Sequence, residues 1–363
     1  MSSSIKEVIK EEIRDFFKLR KVEGFMHIPL LASLCMGIPL LLGLYFNNIK
    51  GGLTACLAGL IIVYFPLYAT LAERIITLLA CSFLFLISYT VGVTFSYNFV
   101  ISSIAFGLFS MIIHWITLYL KVRPPRSFFF IMICATASCI PFNLKRIPEN
   151  IGLLAIGSMI SCTLALLYSI IVTKEKSVEK KGIIAVTFQR NRYANFLEAL
   201  IMGFFMFLSL LIGHLLDINN PYWIPVSCAA VMQGATRYHI WKRVFQRITG
   251  TFMGLGLCWI ILSITKTTLA ICLAIIVLQF IIETLVGRNY VVAVIFITPI
   301  TVLLTEISNP LIKNPDIFIS IRFWNILLGS LIGAIGGWII YHEQIHYNTV
   351  RRIRKARVLI KKL

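Results

Sequence analysis

The stretch RSFFFIMICATA at residues 126–137 aligns without a gap to RNYVVAVIFITP at residues 288–299, at an offset of 162 positions. A second match pairs Arg74, followed by IITLLA, with Arg247, followed by ITGTFM. Small residues also recur at helical spacing in two further segments, at Gly157, Ser161 and Ala165 and again at Gly329, Gly333 and Gly337. These matches predict that the chain consists of two related halves.

The composition of the 363-residue chain is that of a membrane protein. Hydrophobic residues make up 58% and charged residues 13%, whereas a soluble chain has about a quarter of its residues charged. These values exclude collagen-like, disordered and small disulfide-rich classes. All nine cysteines lie in apolar runs without CxxC spacing, which indicates reduced packing residues and no metal site.

Twelve apolar segments are candidates for crossing the bilayer, whose hydrocarbon core of about 30 Å needs roughly 20 apolar residues per helix. They lie at 26–46, 52–68, 75–95, 98–120, 127–141, 150–173, 194–216, 221–235, 248–264, 267–286, 289–305 and 319–341. The segments 52–68, 127–141, 221–235 and 289–305 are short, so the sequence does not decide whether they span the membrane fully. Lipid-exposed spans must be helical because backbone groups in hydrocarbon need partners within the segment.

The sequence therefore predicts an all-α polytopic membrane protein with about 12 transmembrane helices. Six segments in each half make the repeats parallel, related by a pseudo-two-fold axis along the membrane normal. The predicted parts are an amphipathic N-terminal helix (1–24), a first six-helix repeat (25–173), a linker (174–193), a second six-helix repeat (194–341) and a basic tail (342–363).

Basic residues are distributed very unevenly between the two sides of this predicted bundle. Of the 34 Lys and Arg residues, 28 fall on the side of the termini and five on the other, while Arg322 lies just inside the last segment. By the positive-inside rule, both termini and the linker are cytoplasmic in a bacterial inner membrane. The basic tail is expected to contact anionic lipid headgroups rather than nucleic acid, because no nucleic-acid recognition module accompanies it.

Sequence motifs for hydrolysis and nucleotide binding are absent: GxxxxGK[ST], GxSxG and HExxH do not occur. We therefore expect neither enzymatic activity nor a cofactor. Transport by this chain would use an ion gradient or passive flow.

The densest polar stretch runs from residue 221 to residue 256. It contains a Tyr-Trp pair, then a Gln, then spaced arginines that end in R-x-x-G-T-x-x-G, at Tyr222, Trp223, Gln233, Arg243, Arg247, Gly250, Thr251 and Gly254. This pattern resembles the signature of the FUSC (fusaric acid resistance and aromatic acid exporter) family, and RNYVVAVIFITP resembles a later motif of that family. The resemblance implies export of aromatic carboxylates.

The chain departs from the family pattern in two ways. The 174–193 linker is too short for the soluble domain that larger members insert between the halves, and the first half lacks the Tyr-Trp and Gln-Gly-Ala elements.

The arginines suit an anionic substrate because a guanidinium group stays charged and can hold a carboxylate with two parallel hydrogen bonds. Arg74, Arg126, Arg247 and Arg288 fall at predicted cytoplasmic span ends, two from each half, and could form a ring at an inner mouth. The alternative is that they are only topology signals that extend to the interface. Arg243, Gln233 and Thr251 belong to the same candidate pathway.

Three aromatic residues, Tyr222, Trp223 and Tyr290, could stack on an aromatic substrate or anchor span ends at the interface. His114 lies inside a span and is the candidate for proton coupling, the alternative being a neutral packed imidazole.

A third group of residues is expected to serve helix packing. Small residues let neighbouring helices approach closely in membranes. They are Gly250, Gly254, Gly329, Gly333 and Gly337.

The sequence thus predicts an inner-membrane exporter of small organic carboxylate anions, aromatic ones included, that is driven by an ion gradient. The alternatives are a passive anion channel and a non-transporting membrane scaffold or envelope-assembly partner. The expected partners are the substrate anion, the lipid bilayer and a periplasmic adaptor protein.

The distribution of basic residues generates a topology prediction. Cysteines introduced at Ser3 and Lys362 should resist a membrane-impermeant thiol reagent in intact cells, whereas a cysteine at Asn219 should react. Gel-shift labelling measures the outcome. Labelling of either terminus from outside the cell would contradict the predicted orientation.

Overall fold

A computed structural model describes residues 26–67, 69–122, 124–175, 192–234, 237–265, 267–306 and 315–340. Within these ranges the chain is helical and has no β-strand. The predicted N-terminal helix at 1–24, most of the 174–193 linker and the 342–363 tail lie outside the described residues.

The first half contains six α-helices in its described residues. They are α1 (His27–Tyr45), α2 (Ile49–Leu57), α3 (Leu71–Thr94), α4 (Phe99–Tyr119), α5 (Phe128–Ser138) and α6 (Ile147–Glu175). A 3₁₀ segment, Ala58–Tyr64, continues directly from α2.

The second half also contains six α-helices in its described residues. They are α7 (Arg192–Leu215), α8 (Trp223–Met232), α9 (Arg237–Ile264), α10 (Thr268–Val286), α11 (Tyr290–Glu306) and α12 (Pro315–Ile340).

Eight of these described helices, namely α1, α3, α4, α6, α7, α9, α10 and α12, are long and apolar enough to cross a membrane. Four shorter apolar helical segments, Ile49–Tyr64, Phe128–Ser138, Trp223–Met232 and Tyr290–Leu304, coincide with the four short segments in the sequence. At 1.5 Å per residue, the ten residues of α8 extend about 15 Å, roughly half of the hydrocarbon thickness. Both halves therefore follow the order long, short, long, long, short, long.

Helix packing within the two halves follows one scheme. In the first half, α6 packs against α1, α2 and α3. The further pairs are α1–α2 and α3–α5. The second half has the corresponding pairs α7–α8, α7–α12, α8–α12, α9–α12 and α9–α11.

The two halves contact each other in a reciprocal way. The fourth helix of the first half, α4, packs along α7, which is the first helix of the second half. The fourth helix of the second half, α10, packs along α1 in turn. The α4 and α7 backbones approach closely at two glycines: a Cβ at Gly107 would lie 3.0 Å from the Gly203 carbonyl oxygen.

Two helix starts differ from the sequence-based segments, which began at 75 and 248. Helix α3 begins at Leu71, and α9 begins at Arg237, so Arg74, Arg243 and Arg247 are helical residues. For α3 the cause is a capping box in which Thr70 Oγ1 accepts from the Glu73 amide and Glu73 Oε2 accepts from the Thr70 amide, at 3.3 and 2.9 Å. A hydropathy scale ends an apolar segment at a charged residue, whereas the helices α3 and α9 continue through theirs.

Glycines occupy matching close contacts in the last helix of each half. A Cβ at Gly157 in α6 would overlap the backbone carbonyl of Ala55 in α2. A Cβ at Gly329 in α12 would overlap the backbone carbonyl of Ile224 in α8. Further along α12, a Cβ at Gly333 would lie 2.7 Å from the Cys228 carbonyl oxygen. Backbone cannot move aside as a side chain can, so these positions admit only glycine without a shift of the helices.

Replacing Gly329 with alanine should therefore destabilise the protein by about 1–3 kcal/mol, because the added methyl group forces α8 and α12 apart. The measurement is the thermal unfolding midpoint of the detergent-solubilised protein. Gly256→Ala is the matched control, since a Cβ at Gly256 would meet no heavy atom within 4 Å. Equal midpoints for the two variants would contradict the packing explanation.

Candidate functional site

A cluster of buried polar side chains lies where α4 and the α4–α5 connection of the first half meet α7 of the second. His114 in α4 and Glu198 in α7 are 2% and 4% exposed. The His114 Nε2 atom lies 3.6 Å from Glu198 Oε1, and Arg126 Nη1 lies 3.8 Å from the same oxygen. His114 Nδ1 forms a 2.7 Å hydrogen bond with Ser127 Oγ, the donor depending on the tautomer. Buried ionisable groups inside a membrane bundle are the primary candidates for function.

Arg126 is placed by its backbone as well as by its charge. Its φ of 45° is left-handed, which is unfavourable for a residue with a Cβ. Two side chains hold this connection: Tyr64 Oη donates to the Arg126 carbonyl at 2.7 Å, and Gln233 Nε2 donates to the Pro125 carbonyl at 3.1 Å. The Arg126 side chain is partly exposed, at 37%. Arg126 thus has an open side as well as a buried partner.

Arg74 is buried next to the 3₁₀ segment, at 5% exposure. Its Nη2 donates to the Leu67 carbonyl at 2.7 Å, and its guanidinium carbon lies 5.2 Å from the Phe65 ring centroid. Its Nε and Nη1 atoms are buried and find no hydrogen-bond partner in the described part of the chain.

Arg247 in α9 aligns with Arg74 in sequence and is equally buried, at 5% exposure. Its Nε atom likewise has no hydrogen-bond partner among the described residues. Over the described ranges, no carboxylate lies within 4.0 Å of a nitrogen of Arg74 or Arg247. Both halves therefore bury an arginine without a neutralising described carboxylate.

Arg243 lies in α9, and its side chain contacts both the short helix α8 and the start of α11. Its Nη1 donates to the Ala230 carbonyl near the end of α8 at 3.2 Å. Its guanidinium carbon lies 5.6 Å from the Tyr290 ring centroid. Arg288, which precedes α11, is half-buried. A ring formed by Arg74, Arg126, Arg247 and Arg288 stays a prediction.

The remaining residues of the motif lie in the contact between α9 and α11. A Cβ at Gly250 would lie 2.8 Å from Val294 Cβ, and one at Gly254 would lie 2.7 Å from the Ile295 carbonyl oxygen. Thr251 is buried at 1% exposure. Gly337 in α12 faces the Ile240 side chain, its added Cβ reaching 2.7 Å from Ile240 Cδ1.

The structure separates Tyr222 and Trp223 from the arginines with which the sequence grouped them. Both aromatic residues are buried at the start of α8, with their ring centroids 4.9 Å apart. Gln233 follows the other end of α8, about 15 Å away along the helix. Trp223 instead contacts Arg322 of α12, whose guanidinium carbon lies 3.2 Å from the Trp223 ring centroid. Arg322 Nη2 donates to Thr301 Oγ1 at 2.5 Å.

Two of these residues were not identified as site residues from the sequence. Glu198 and Arg322 are each a single charged residue in an otherwise apolar segment, and this was the available signal. Glu283 in α10 accepts a 3.1 Å hydrogen bond from Gln279 Nε2. Within the described ranges, no group of three or more His, Cys, Asp or Glu side chains is arranged to hold a metal ion.

Comparison with known proteins finds a family that the second half of the chain resembles. Residues 205–336 match the model of the fusaric acid resistance protein-like (FUSC) family. The matched residues run from α7 to α12. The match includes Arg243, Arg247 and the glycines of the α9–α11 contact, and it confirms the resemblance that the sequence motif indicated.

One curated relative comes from Bacillus subtilis (strain 168). The uncharacterized membrane protein YvaC is 32% identical over 147 residues, which make up 40% of the present chain. The chain thus covers 23% of the length of YvaC. No solved structure matches the chain.

The Arg322 contacts generate a stability prediction. Thr301→Val should destabilise the protein by about 1.5–3 kcal/mol, because the buried guanidinium group loses a charge-assisted hydrogen bond to the Thr301 hydroxyl. Thermal unfolding in detergent measures the change. Thr163→Val is the control, since the exposed Thr163 hydroxyl bonds only to the Met159 carbonyl of its own helix. If Thr163→Val lowers the midpoint as much, the contact to Arg322 contributes nothing.

Proposed function

We propose that this FUSC-family protein transports small organic carboxylate anions, including aromatic ones, out of the bacterial cell across the inner membrane. The observation that carries the proposal is the pair of buried arginines, Arg74 and Arg247, whose guanidinium groups have unpartnered nitrogen atoms within the described residues. An ion gradient is proposed as the driving force, and both termini are proposed to be cytoplasmic.

The burial of these two side chains argues against a role in topology alone. A topology signal acts through charge at the interface, and its side chain extends to water. Arg74 and Arg247 are each 5% exposed, so their charged groups are largely shielded. An unpaired charge in a low-dielectric interior is expensive, and a bound carboxylate would offset that cost. Two parallel hydrogen bonds would also fix its orientation.

The surroundings of the arginines support an organic anion. The Phe65 ring lies beside Arg74 and the Tyr290 ring beside Arg243, so a flat apolar group could pack next to a charged one. An apolar groove of about 620 Å³ between α4, α7 and α12 includes Met111 and Leu200, which lie near His114 and Glu198 in the chain. The name of the matched family refers to resistance to an organic acid, fusaric acid.

The proposed architecture is a pair of six-helix repeats with the pathway between them. The common order of long and short helices, the matching packing pairs and the reciprocal α4–α7 and α10–α1 contacts support it. Parallel repeats create a pathway along their shared axis. A periplasmic adaptor would then serve as the partner that carries the anion onward.

Arg74→Gln and Arg247→Gln should each slow phthalate efflux from reconstituted vesicles by about ten- to a hundredfold, because one charge-assisted contact contributes roughly 1.5–3 kcal/mol. Arg247→Lys should recover only part of the rate, since an ammonium group cannot form the two-pronged contact. Efflux is measured with radiolabelled phthalate against protein-free vesicles.

Arg146→Gln is the matched control, because Arg146 is exposed and its loss should leave efflux unchanged. A passive channel would show the same arginine dependence but could not move phthalate against its gradient when a pH difference is imposed. A scaffold would be insensitive to Arg74→Gln and would lose its function when Arg351, Arg352 and Arg354 in the tail are neutralised. Normal efflux by both Gln variants would refute the proposed site.

A further inference from the structure

We infer that Glu283 of α10, together with Gln279, forms a proton-binding site at the contact between the two halves of the bundle. Binding of a proton at this site requires no transport. Its role as the group that couples proton movement to anion export deepens the proposed function and rests on it. The sequence indicated His114 alone as a proton-coupling residue.

Glu283 occupies in the second half the position that His114 occupies in the first. Helices α4 and α10 are the fourth helices of their halves, and each begins after a residue whose side chain caps it, Asn98 and Thr267. His114 and Glu283 follow these caps by the same number of residues, sixteen. Each of the two corresponding helices therefore carries an ionisable side chain at the same place.

This place is also the same relative to a close contact between the halves. A Cβ added at Gly107 of α4 would lie 3.0 Å from the Gly203 carbonyl oxygen of α7. A Cβ added at Gly37 of α1 would lie 2.7 Å from Ile276 Cγ1 of α10. In α4 and in α10 the ionisable residue follows the contact by two helical turns, roughly 10 Å along the axis. Both contacts between the halves thus have an ionisable side chain at the same level.

The carboxyl group of Glu283 has a neutral partner. Gln279 is 3% exposed, and its Nε2 atom donates to Glu283 Oε1 at 3.1 Å. Glu283 is half-buried and is the single charged residue of α10. Among the described residues, no Lys, Arg or His nitrogen lies within 4.0 Å of its carboxylate oxygens. An ionised carboxylate without a cation is costly in a membrane span, and a bound proton removes that cost.

Gln279 is a suitable partner for both states of this carboxyl group. Its amide N–H groups can donate to a carboxylate, and its amide oxygen can accept from the O–H of a carboxylic acid. A lysine or arginine in the same position would instead stabilise the ionised form. Glu283 can therefore gain and lose a proton without a change of partner.

Helix α10 packs mainly against α1 and α11. The titratable residues of these two helices are His27, Cys35, Tyr45, Tyr290 and Glu306. Arg288 follows the end of α10 in the connection to α11. In the part of the chain that the structure describes, the side-chain hydrogen bond of Glu283 goes to Gln279 and to none of these residues. No cation from the neighbouring described elements thus replaces Gln279 as the partner of Glu283.

The first test asks whether Glu283 binds a proton in the wild-type protein in vesicles. Dicyclohexylcarbodiimide enters apolar regions and reacts with protonated carboxyl groups, and peptide mass spectrometry locates the adduct. Labelling of Glu283 should fall at least about tenfold between about pH 6 and about pH 9, because the reagent needs the acid form. Glu149, which is exposed at the start of α6, is the control carboxyl and should stay unlabelled. No labelling of Glu283, or equal labelling at both pH values, overturns the inference.

The second test concerns coupling and follows radiolabelled phthalate in vesicles across which a pH difference is imposed. The wild type should move phthalate against its gradient, and Glu283→Gln should lose this uphill movement because an amide does not bind the proton. Phthalate exchange without a pH difference should persist in Glu283→Gln, which distinguishes loss of coupling from loss of the fold. Glu149→Gln is the matched control and should retain uphill movement. Uphill movement by Glu283→Gln would refute the coupling role.

The two tests separate this inference from the proposed function. Labelling of Glu283 that falls with rising pH, in a protein that moves no phthalate, would retain the proton site and refute transport. Phthalate transport that depends on Arg74 and Arg247 but does not respond to the pH difference would retain transport and refute Glu283 as its coupling group.

Discussion

Backbone carbonyl groups at the ends of short helices have to be satisfied inside the bundle, and much of the polar chemistry follows from this constraint. A helix of ten residues such as α8 extends only about 15 Å, so in a bilayer at least one of its ends would lie within the roughly 30 Å of hydrocarbon, where no water replaces the missing helical partner. Side chains from neighbouring segments supply the donors instead. Arg74 donates to the Leu67 carbonyl, just after the 3₁₀ segment, and Arg243 donates to the Ala230 carbonyl in the last turn of α8. A guanidinium group that donates one N–H to a carbonyl in this way still has other N–H groups that can bind a ligand.

This constraint explains which parts of the fold were predictable from sequence. Hydropathy identified the long spans and the four short segments, because length and apolar composition alone determine them. It misplaced the starts of α3 and α9, because Arg74, Arg243 and Arg247 count as exterior on any hydropathy scale although they are helical. Arg74 lies beside the 3₁₀ segment and Arg243 contacts the end of α8, and no local sequence pattern encodes those contacts.

The sequence identified site residues by three signals: the family motif, the alignment of the two halves and, for His114, a position inside a span. Arg243 and Arg247 were identified through the family pattern, whereas Glu198 stands alone in an apolar segment. Its approach to His114 and Arg126 joins residues that are distant in sequence, so the tertiary packing of α4 on α7 creates the cluster. For Tyr222 and Trp223 the sequence was misleading. They were grouped with Arg243 and Arg247 because they are near in sequence, but the length of α8 separates the two aromatic residues from these arginines.

The reciprocal packing of α4 on α7 and α10 on α1 also constrains how the protein is made. When α4 leaves the insertion machinery, the helix that covers its glycine face has not yet been synthesised. The face of α4 that later contacts α7 is therefore exposed to lipid until α7 is inserted. The face of α1 that later contacts α10 is exposed for longer, until α10 is inserted. Assembly is consequently completed late, and a chain interrupted early in its second half leaves α1 without the helix that covers it.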